Sequence, residues 1–190
     1  MNTFNIKENT EHLNILKKEA QLSQKKGLPF MMASVIIWAL IIVVRFMDIS
    51  IVAKNMYTFC CSCFLMPLAF LFGKIIKVEI FAKMDNPIRK LALLCTLNQM
   101  LYLTIVMWAY NQKPEAMLML YGMVFGAHLL PYGWVYDSKS YTIAAIVNTI
   151  GSLIVGLVWG SIAAAAFVMT VQIIVCISLF AEMRKVRPES

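Results

Sequence analysis

The sequence predicts an all-α polytopic membrane protein, a bundle of about six transmembrane helices with both chain ends in the cytosol. Hydrophobic residues make up 61% of the 190 residues and charged residues 14%, so the chain is more apolar and less charged than a soluble domain. The apolar residues also form continuous runs, whereas the strands of a membrane barrel would alternate apolar and polar residues. Helices are therefore expected, because a helix satisfies its own backbone hydrogen bonds in lipid.

The N-terminal segment, residues 1–26, is polar and mixed in charge. Leu13, Leu16 and Ala20 recur at helical spacing beside lysines, which predicts an amphipathic cytosolic helix on the membrane surface. A solvated tail is the alternative interpretation. The first apolar run follows a Gly27-Leu28-Pro29 start that is typical of a helix N-terminus. The long polar stretch before this run favours a membrane span over a signal peptide.

A transmembrane domain is predicted over residues 27–181, with a cytosolic tail at 182–190. Pro131 is expected to kink the fourth span near its end. The 41 uncharged residues 141–181 are about twice as long as one membrane crossing at 1.5 Å per residue, so they are expected to fold back near Gly156–Ser161. The six predicted spans are residues 28–44, 56–72, 91–110, 116–136, 141–157 and 161–180.

The connection after the second span carries its own pattern. Ile76, Ile80 and Met84 recur at helical spacing, which predicts that the helix continues along the cytosolic surface. Asn86 and Pro87 then provide a cap and a first helical residue for the third span.

The distribution of basic residues predicts the orientation. Of the 17 Lys and Arg residues, fourteen fall in connections that are cytosolic when the N-terminus is inside, and three, Arg45, Lys54 and Lys113, remain outside. Cytosolic loops of membrane proteins collect Lys and Arg in this way. The net charge of +7 therefore needs no nucleic acid to explain it, and the sequence carries no phosphate loop or aromatic-basic platform.

Polar side chains inside four of the spans fall at one depth, roughly 11 to 12 Å from the cytosolic boundary. This candidate intramembrane polar layer comprises Asn98 and Gln99 in the third span, His128 in the fourth, Asn148 in the fifth and Gln172 in the sixth.

The polar layer has two interpretations. Its side chains could hydrogen-bond across helices and hold the bundle together, which the GxxxG sequence Gly122–Gly126 also favours. Alternatively, they could converge on a solute cavity near the midplane, where secondary transporters bind their solutes. His128 is then the residue of most interest, because intramembrane ionisable groups are functional candidates.

Catalytic, metal-binding and cofactor-binding sites are not predicted. None of the spans contains a carboxylate, and neither an HExxH sequence nor a glycine-flanked serine turn is present. The cysteines lie in apolar runs without zinc spacing, and those of the second span lie in its outer half, far in depth from His128. They are Cys60, Cys61, Cys63, Cys95 and Cys176.

Two stretches resemble an uncharacterised family of small bacterial multi-pass membrane proteins, known only as a domain of unknown function. They are Lys26–Phe30 and Ala127–Trp134, followed by Tyr136 and Ser140-Tyr141. The resemblance implies the plasma membrane, in particular a bacterial inner membrane. It implies no activity, cofactor or site.

Two functional hypotheses from different classes follow. The leading one is binding or translocation of a small solute through the polar layer. The alternative is a non-catalytic scaffold or regulatory partner, in which a membrane protein or a second copy of this chain is the partner and the polar layer is packing. An intramembrane enzyme is not expected, because neither a nucleophile nor a carboxylate accompanies His128.

Overall fold

The computed structural model describes residues 3–78, 80 and 85–186, and in that part of the chain it contains helices and no strand. The all-α class is therefore confirmed. A one-turn 3-10 helix, Lys25–Gly27, joins the first two α-helices. The α-helices are α1 (Thr3–Gln24), α2 (Leu28–Phe46), α3 (Ile51–Cys63), α4 (Leu65–Ile75), α5 (Pro87–Gln112), α6 (Met117–Ala127), α7 (Leu130–Val135) and α8 (Lys139–Lys185).

Five helical stretches of the described chain are long and apolar enough to cross a membrane. Their length and hydropathy identify a membrane protein, because a soluble bundle could not bury this much apolar surface. The stretches are Ile6–Phe46, Ile51–Ile75, Pro87–Gln112, Met117–Val135 and Lys139–Lys185.

The last stretch, α8, reverses direction at Gly160. This residue has φ +83° and ψ −175°, a conformation that only glycine adopts readily. Ser140 Oγ donates to Glu182 Oε1 at 2.6 Å across 42 residues of sequence, a separation that a straight helix would stretch to about 63 Å. Thus α8 is a hairpin of two antiparallel arms, residues 139–159 and 161–185.

The N-terminal segment packs on the bundle itself. Ala20 is fully buried, and Leu13 and Leu16 pack against the same core cluster. Asn86 Nδ2 donates to the Leu16 carbonyl at 2.8 Å, which ties α1 to the start of α5. The apolar face of this helix is therefore covered at least partly by protein, and residues 1–2 lie outside the described chain.

A left-handed turn brings Lys26 from the surface into the protein. Lys25, Lys26 and Gly27 all have positive φ angles. Lys26 Nζ lies 2.8 Å from Glu182 Oε2 and 3.3 Å from the Asp137 carbonyl. This contact joins the start of α2 to both ends of α8, so these segments meet at one end of the bundle.

The connection between α4 and α5 differs from the sequence prediction where it is described. The helix ends at Ile75, and Lys77 adopts a left-handed conformation, φ +57°. Residues 79 and 81–84 of the predicted extension, including Met84, lie outside the described residues, and Ile80 is in a turn and not in a helix. As predicted, Asn86 caps α5, its Oδ1 accepting from the Ile88 backbone N at 2.8 Å.

The predicted fourth span is broken close to Pro131, where a kink was predicted. Helix α6 ends at Ala127 and α7 begins at Leu130. Proline lacks an N–H group, so Pro131 cannot donate to the carbonyl four residues earlier and a continuous helix fails here. His128 occupies the break, and its Nδ1 lies 2.5 Å from the Phe125 carbonyl.

Candidate functional site

The bundle contains a cavity of about 190 Å³ at the end where Lys26 is buried, between α2, α4, α5, the α6–α7 break and the start of α8. Arg89, in the first turn of α5, and Gln99, ten residues later, both line it. The cavity therefore extends roughly 15 Å along α5. Helices α4 and α5 make almost no contact with each other, and the partly exposed Met66 and Leu93 line the cavity between them.

Tyrosine rings form one wall of this cavity. Tyr132 and Tyr136 are four residues apart on or next to α7, and their rings stack with centroids 5.9 Å apart and an angle of 14°. The Tyr141 ring lies 5.9 Å from Tyr132 and 6.0 Å from Tyr136. Tyr136 Oη donates to Gln24 at 2.9 Å and Tyr141 Oη to the Lys26 carbonyl at 2.7 Å, so these hydrogen bonds fix both rings in the cavity wall.

His128 continues the aromatic wall towards the bundle centre. Its ring lies 5.8 Å from Tyr132 at nearly a right angle and 5.1 Å from Phe125. A carbonyl oxygen only accepts, so the contact with Phe125 requires the hydrogen on Nδ1. In the neutral ring Nε2 is then a hydrogen-bond acceptor, and no described residue bonds to it.

Gln99 supplies the second unused polar group. Its side chain is 8% exposed and lines the cavity, and it makes no hydrogen bond with any described residue. The hydroxyls of Ser34 and Thr96 already bond to the carbonyls of Met31 and Ala92. A molecule in the cavity would therefore meet one free amide, one imidazole acceptor and apolar ring faces.

Arg89 is the charged side chain among the described lining residues, and it is 7% exposed. Arg89 also has a partner within the protein, so its charge is not free to select the guest.

An aromatic cluster closes the far end of the cavity. The Trp38 ring lies 5.7 Å from the lining residue Phe125 and 5.5 Å from Tyr121. Tyr121 Oη lies 2.7 Å from Ser62 Oγ. Beyond it, buried Arg45 donates to Asn55 at 2.8 Å. The cavity therefore ends at packed rings and does not cross the bundle.

The structure divides the five residues of the predicted polar layer. Gln99 and His128 line one cavity. Asn98 is exposed on the outer side of α5. Asn148 and Gln172 are fully buried on opposite arms of the α8 hairpin and do not line the cavity.

Hydrogen bonding across helices does not account for Asn148 and Gln172. Both side-chain amide atoms of each residue, and Ser152 Oγ, are buried without a partner among the described residues. What brings this region together is close packing. A Cβ added to Gly126 would lie 2.7 Å from the Thr149 backbone N, and one added to Gly122 would lie 2.9 Å from Ser152 Oγ. The GxxxG sequence therefore lets α6 approach the backbone of the hairpin.

Residue type and spacing along the chain did not predict the most prominent part of the site, the wall of tyrosine rings. The four-residue spacing of Tyr132 and Tyr136 places both rings on one helix face. Their contact with Tyr141 and Arg89 depends on how α5, α7 and α8 meet, which spacing does not encode.

Metal coordination finds no support in the described chain, where His, Cys, Asp and Glu do not gather in any group of three. All five cysteines are free thiols, and Cys60 and Cys63 point outward.

Residues 13–182 match the model of a family described only as a family of unknown function, DUF7010. The chain belongs to this family, which carries no assigned activity. Neither the curated proteins nor the solved structures contain a significant match.

Proposed function

We propose that this protein is a six-span membrane protein with both termini in the cytosol, which binds a small, mainly apolar solute in the aromatic cavity. The observation that carries the proposal is the cavity itself, with held tyrosine rings and two polar groups, Gln99 and His128 Nε2, that have no partner in the described chain. The plasma membrane, in particular a bacterial inner membrane, is the proposed location.

Geometry and charge support six spans with this orientation. The reversal of α8 at Gly160 gives two arms of 20 or more residues, each long enough for one crossing. The starts of α2, α5 and α8 and the end of α8 gather where Lys26 and Arg89 lie. Arg45 and Lys54 lie with Pro114 at the opposite end. The basic end is the cytosolic one by the charge rule, and the cavity therefore lies in the inner half of the membrane.

The lining specifies the chemistry of the solute. A volume of about 190 Å³ is below the range of drug-sized pockets, so the guest is small. The tyrosine faces suit a flat or aliphatic body. Gln99 and His128 Nε2 suit a hydrogen-bonding group at the deeper end.

Binding is the first step, and translocation would require a further movement. Trp38, Tyr121 and Phe125 separate the cavity from the other end of the bundle. A solute could cross only if these rings part. The same protein with its rings fixed would act as a binding protein in the membrane.

The test is thermal unfolding of detergent-purified protein with small aromatic and aliphatic carboxylates and their neutral amides. A ligand at 100 times its dissociation constant stabilises the native state by about 2.7 kcal/mol. We expect at least one of these solutes to raise the unfolding temperature. Gln99→Leu should reduce the shift, because it removes the amide that faces the cavity.

Asn98→Leu is the matched control, because Asn98 is the neighbour of Gln99 on α5 and its side chain faces away from the cavity. It should retain the ligand-induced shift. If no solute shifts the wild type, or if both leucine variants lose the shift equally, the cavity is not a binding site. The scaffold alternative would then be favoured, since the apolar stretch of α5 is only 17% buried.

A further inference from the structure

The outer face of α5 carries a heptad stripe of side chains spaced alternately by three and four residues. Its members are Leu91, Leu94, Asn98, Leu101, Ile105 and Trp108. Leu91 is half-buried and Asn98 exposed, and the other four are between 49% and 67% exposed. The 3-4 spacing is that of the a and d positions of a coiled coil, with Leu91, Asn98 and Ile105 at a and Leu94, Leu101 and Trp108 at d.

Little of the described chain covers this stripe. Helix α5 packs on α6, α7 and α1 through its other side, on which Gln99 faces the cavity. Asn98 makes no hydrogen bond with the described residues. Its predicted depth is roughly 11 to 12 Å inside the cytosolic boundary, where lipid offers no partner for an amide. An amide that faces lipid would have no hydrogen-bond partner outside its own helix.

We infer that the heptad stripe is the contact surface for a second copy of this chain, in a parallel α5–α5 dimer. Two copies inserted in one membrane share one orientation, so their α5 helices run parallel about a two-fold axis along the membrane normal. A parallel seam places each residue opposite itself. The Asn98 amide carries both a donor and an acceptor, so it is complementary to its own copy.

Asn98 is the residue of the stripe that argues for a defined two-stranded contact. One asparagine at an a position specifies register and oligomeric state, and Ile105 at a with leucine at two of the three d positions is compatible with a dimer. Asparagine also promotes helix association in membranes, where it gains hydrogen bonds that lipid cannot supply. The dimer is independent of the proposed solute, because seam and cavity lie on different faces of α5.

The test maps the seam by disulfide cross-linking in native membranes, with the five natural cysteines replaced by serine or alanine. Single cysteines are placed at Leu94, Leu101 and Ile105. Matched controls are placed at Met100 and Met107, which are 47% and 57% exposed but lie off the seam. We expect rapid oxidation to a covalent dimer at the seam positions and little at the controls. Equal cross-linking at both sets, or none at the seam, would overturn the inference.

A second measurement tests the contribution of Asn98 to the dimer directly. In liposomes of increasing dilution, Förster transfer between labelled copies reports the dimer dissociation constant. Asn98→Leu should raise it about 3- to 30-fold, the range known for single interhelical hydrogen bonds. Met100→Leu should leave it unchanged. If Asn98→Leu associates as tightly as Met100→Leu, the amide does not specify the contact and the inference fails.

Discussion

Glu182→Gln should destabilise the protein, because it removes the charge partner of a buried lysine. The Lys26 side chain is 4% exposed and that of Glu182 24%, with 2.8 Å between Nζ and Oε2. After the substitution, the described acceptors near Lys26 Nζ are neutral: the Asp137 carbonyl at 3.3 Å and the new amide oxygen. Removing one partner of a buried ion pair costs roughly 3 to 5 kcal/mol. Since water reaches Glu182, we expect a loss near the lower limit, about 3 kcal/mol.

The same pair predicts a dependence on pH. Glu182 lies two residues beyond the sixth predicted span. Burial raises the pKa of its carboxyl. Hydrogen bonds from Lys26 and Ser140 lower the pKa by more than burial raises it, so the net pKa lies below the ordinary value. The stabilisation is therefore complete above the unfolded pKa of about 4.3 and is lost as pH falls through the lower folded pKa. The unfolding free energy of the wild type should therefore fall in acid as Glu182 is protonated. That of Glu182→Gln should lack this fall, because the variant has no carboxyl at this position.

The assay is equilibrium unfolding in mixed micelles, arranged as a double-mutant cycle of Glu182→Gln and Lys26→Met. We expect the double variant to be more stable than the sum of the single losses predicts. Glu115→Gln, at an exposed glutamate, is the control and should change little. Single losses below about 1 kcal/mol without coupling would match an exposed ion pair, and would refute the argument that Lys26 is sealed inside the protein.

Three further substitutions test the hairpin and its packing by the same unfolding assay. Gly160→Ala should cost about 1 to 3 kcal/mol although nothing lies within 4 Å of its added Cβ, because its φ and ψ are reserved for glycine; an unchanged stability would mean that the reversal lies elsewhere. Gly126→Ala should cost about 1 to 3 kcal/mol because its Cβ would lie 2.7 Å from the Thr149 backbone N; an unchanged stability would contradict this backbone contact. Gln172→Leu should be neutral or stabilising by up to about 1 to 3 kcal/mol, since it removes two buried atoms without partners; a clear loss would show that the amide is bonded.

Sequence patterns predicted features that depend on local chemistry. The helical class followed from apolar runs, the cap of α5 from Asn86 and Pro87, and a disturbance of the fourth span from Pro131. The end of α4 at Ile75 was missed because the spacing of Ile76, Ile80 and Met84 resembles a helix. The left-handed conformation of Lys77 has no signature in residue type.

The candidate site was predictable only in part. Equal depth suggested that Asn98, Gln99, His128, Asn148 and Gln172 could meet. Depth sets the level of a residue along a helix but not the direction in which its side chain points. Asn98 and Gln99 are neighbours about 100° apart around the helix axis, so one faces outward and the other faces the cavity. Asn148 and Gln172 share the hairpin and lie behind α6.

By itself, the sequence determined that this chain is helical, that it belongs in a membrane and where its local helix signals lie, because lipid and backbone chemistry act on each segment separately. Tertiary structure decided which polar residues meet. The approach of α6 to α8 through Gly126, the burial of Lys26 against Glu182 and the meeting of Tyr132, Tyr141 and Arg89 all depend on helix rotation and on contacts between distant segments. Those contacts create the cavity, and no single segment contains them.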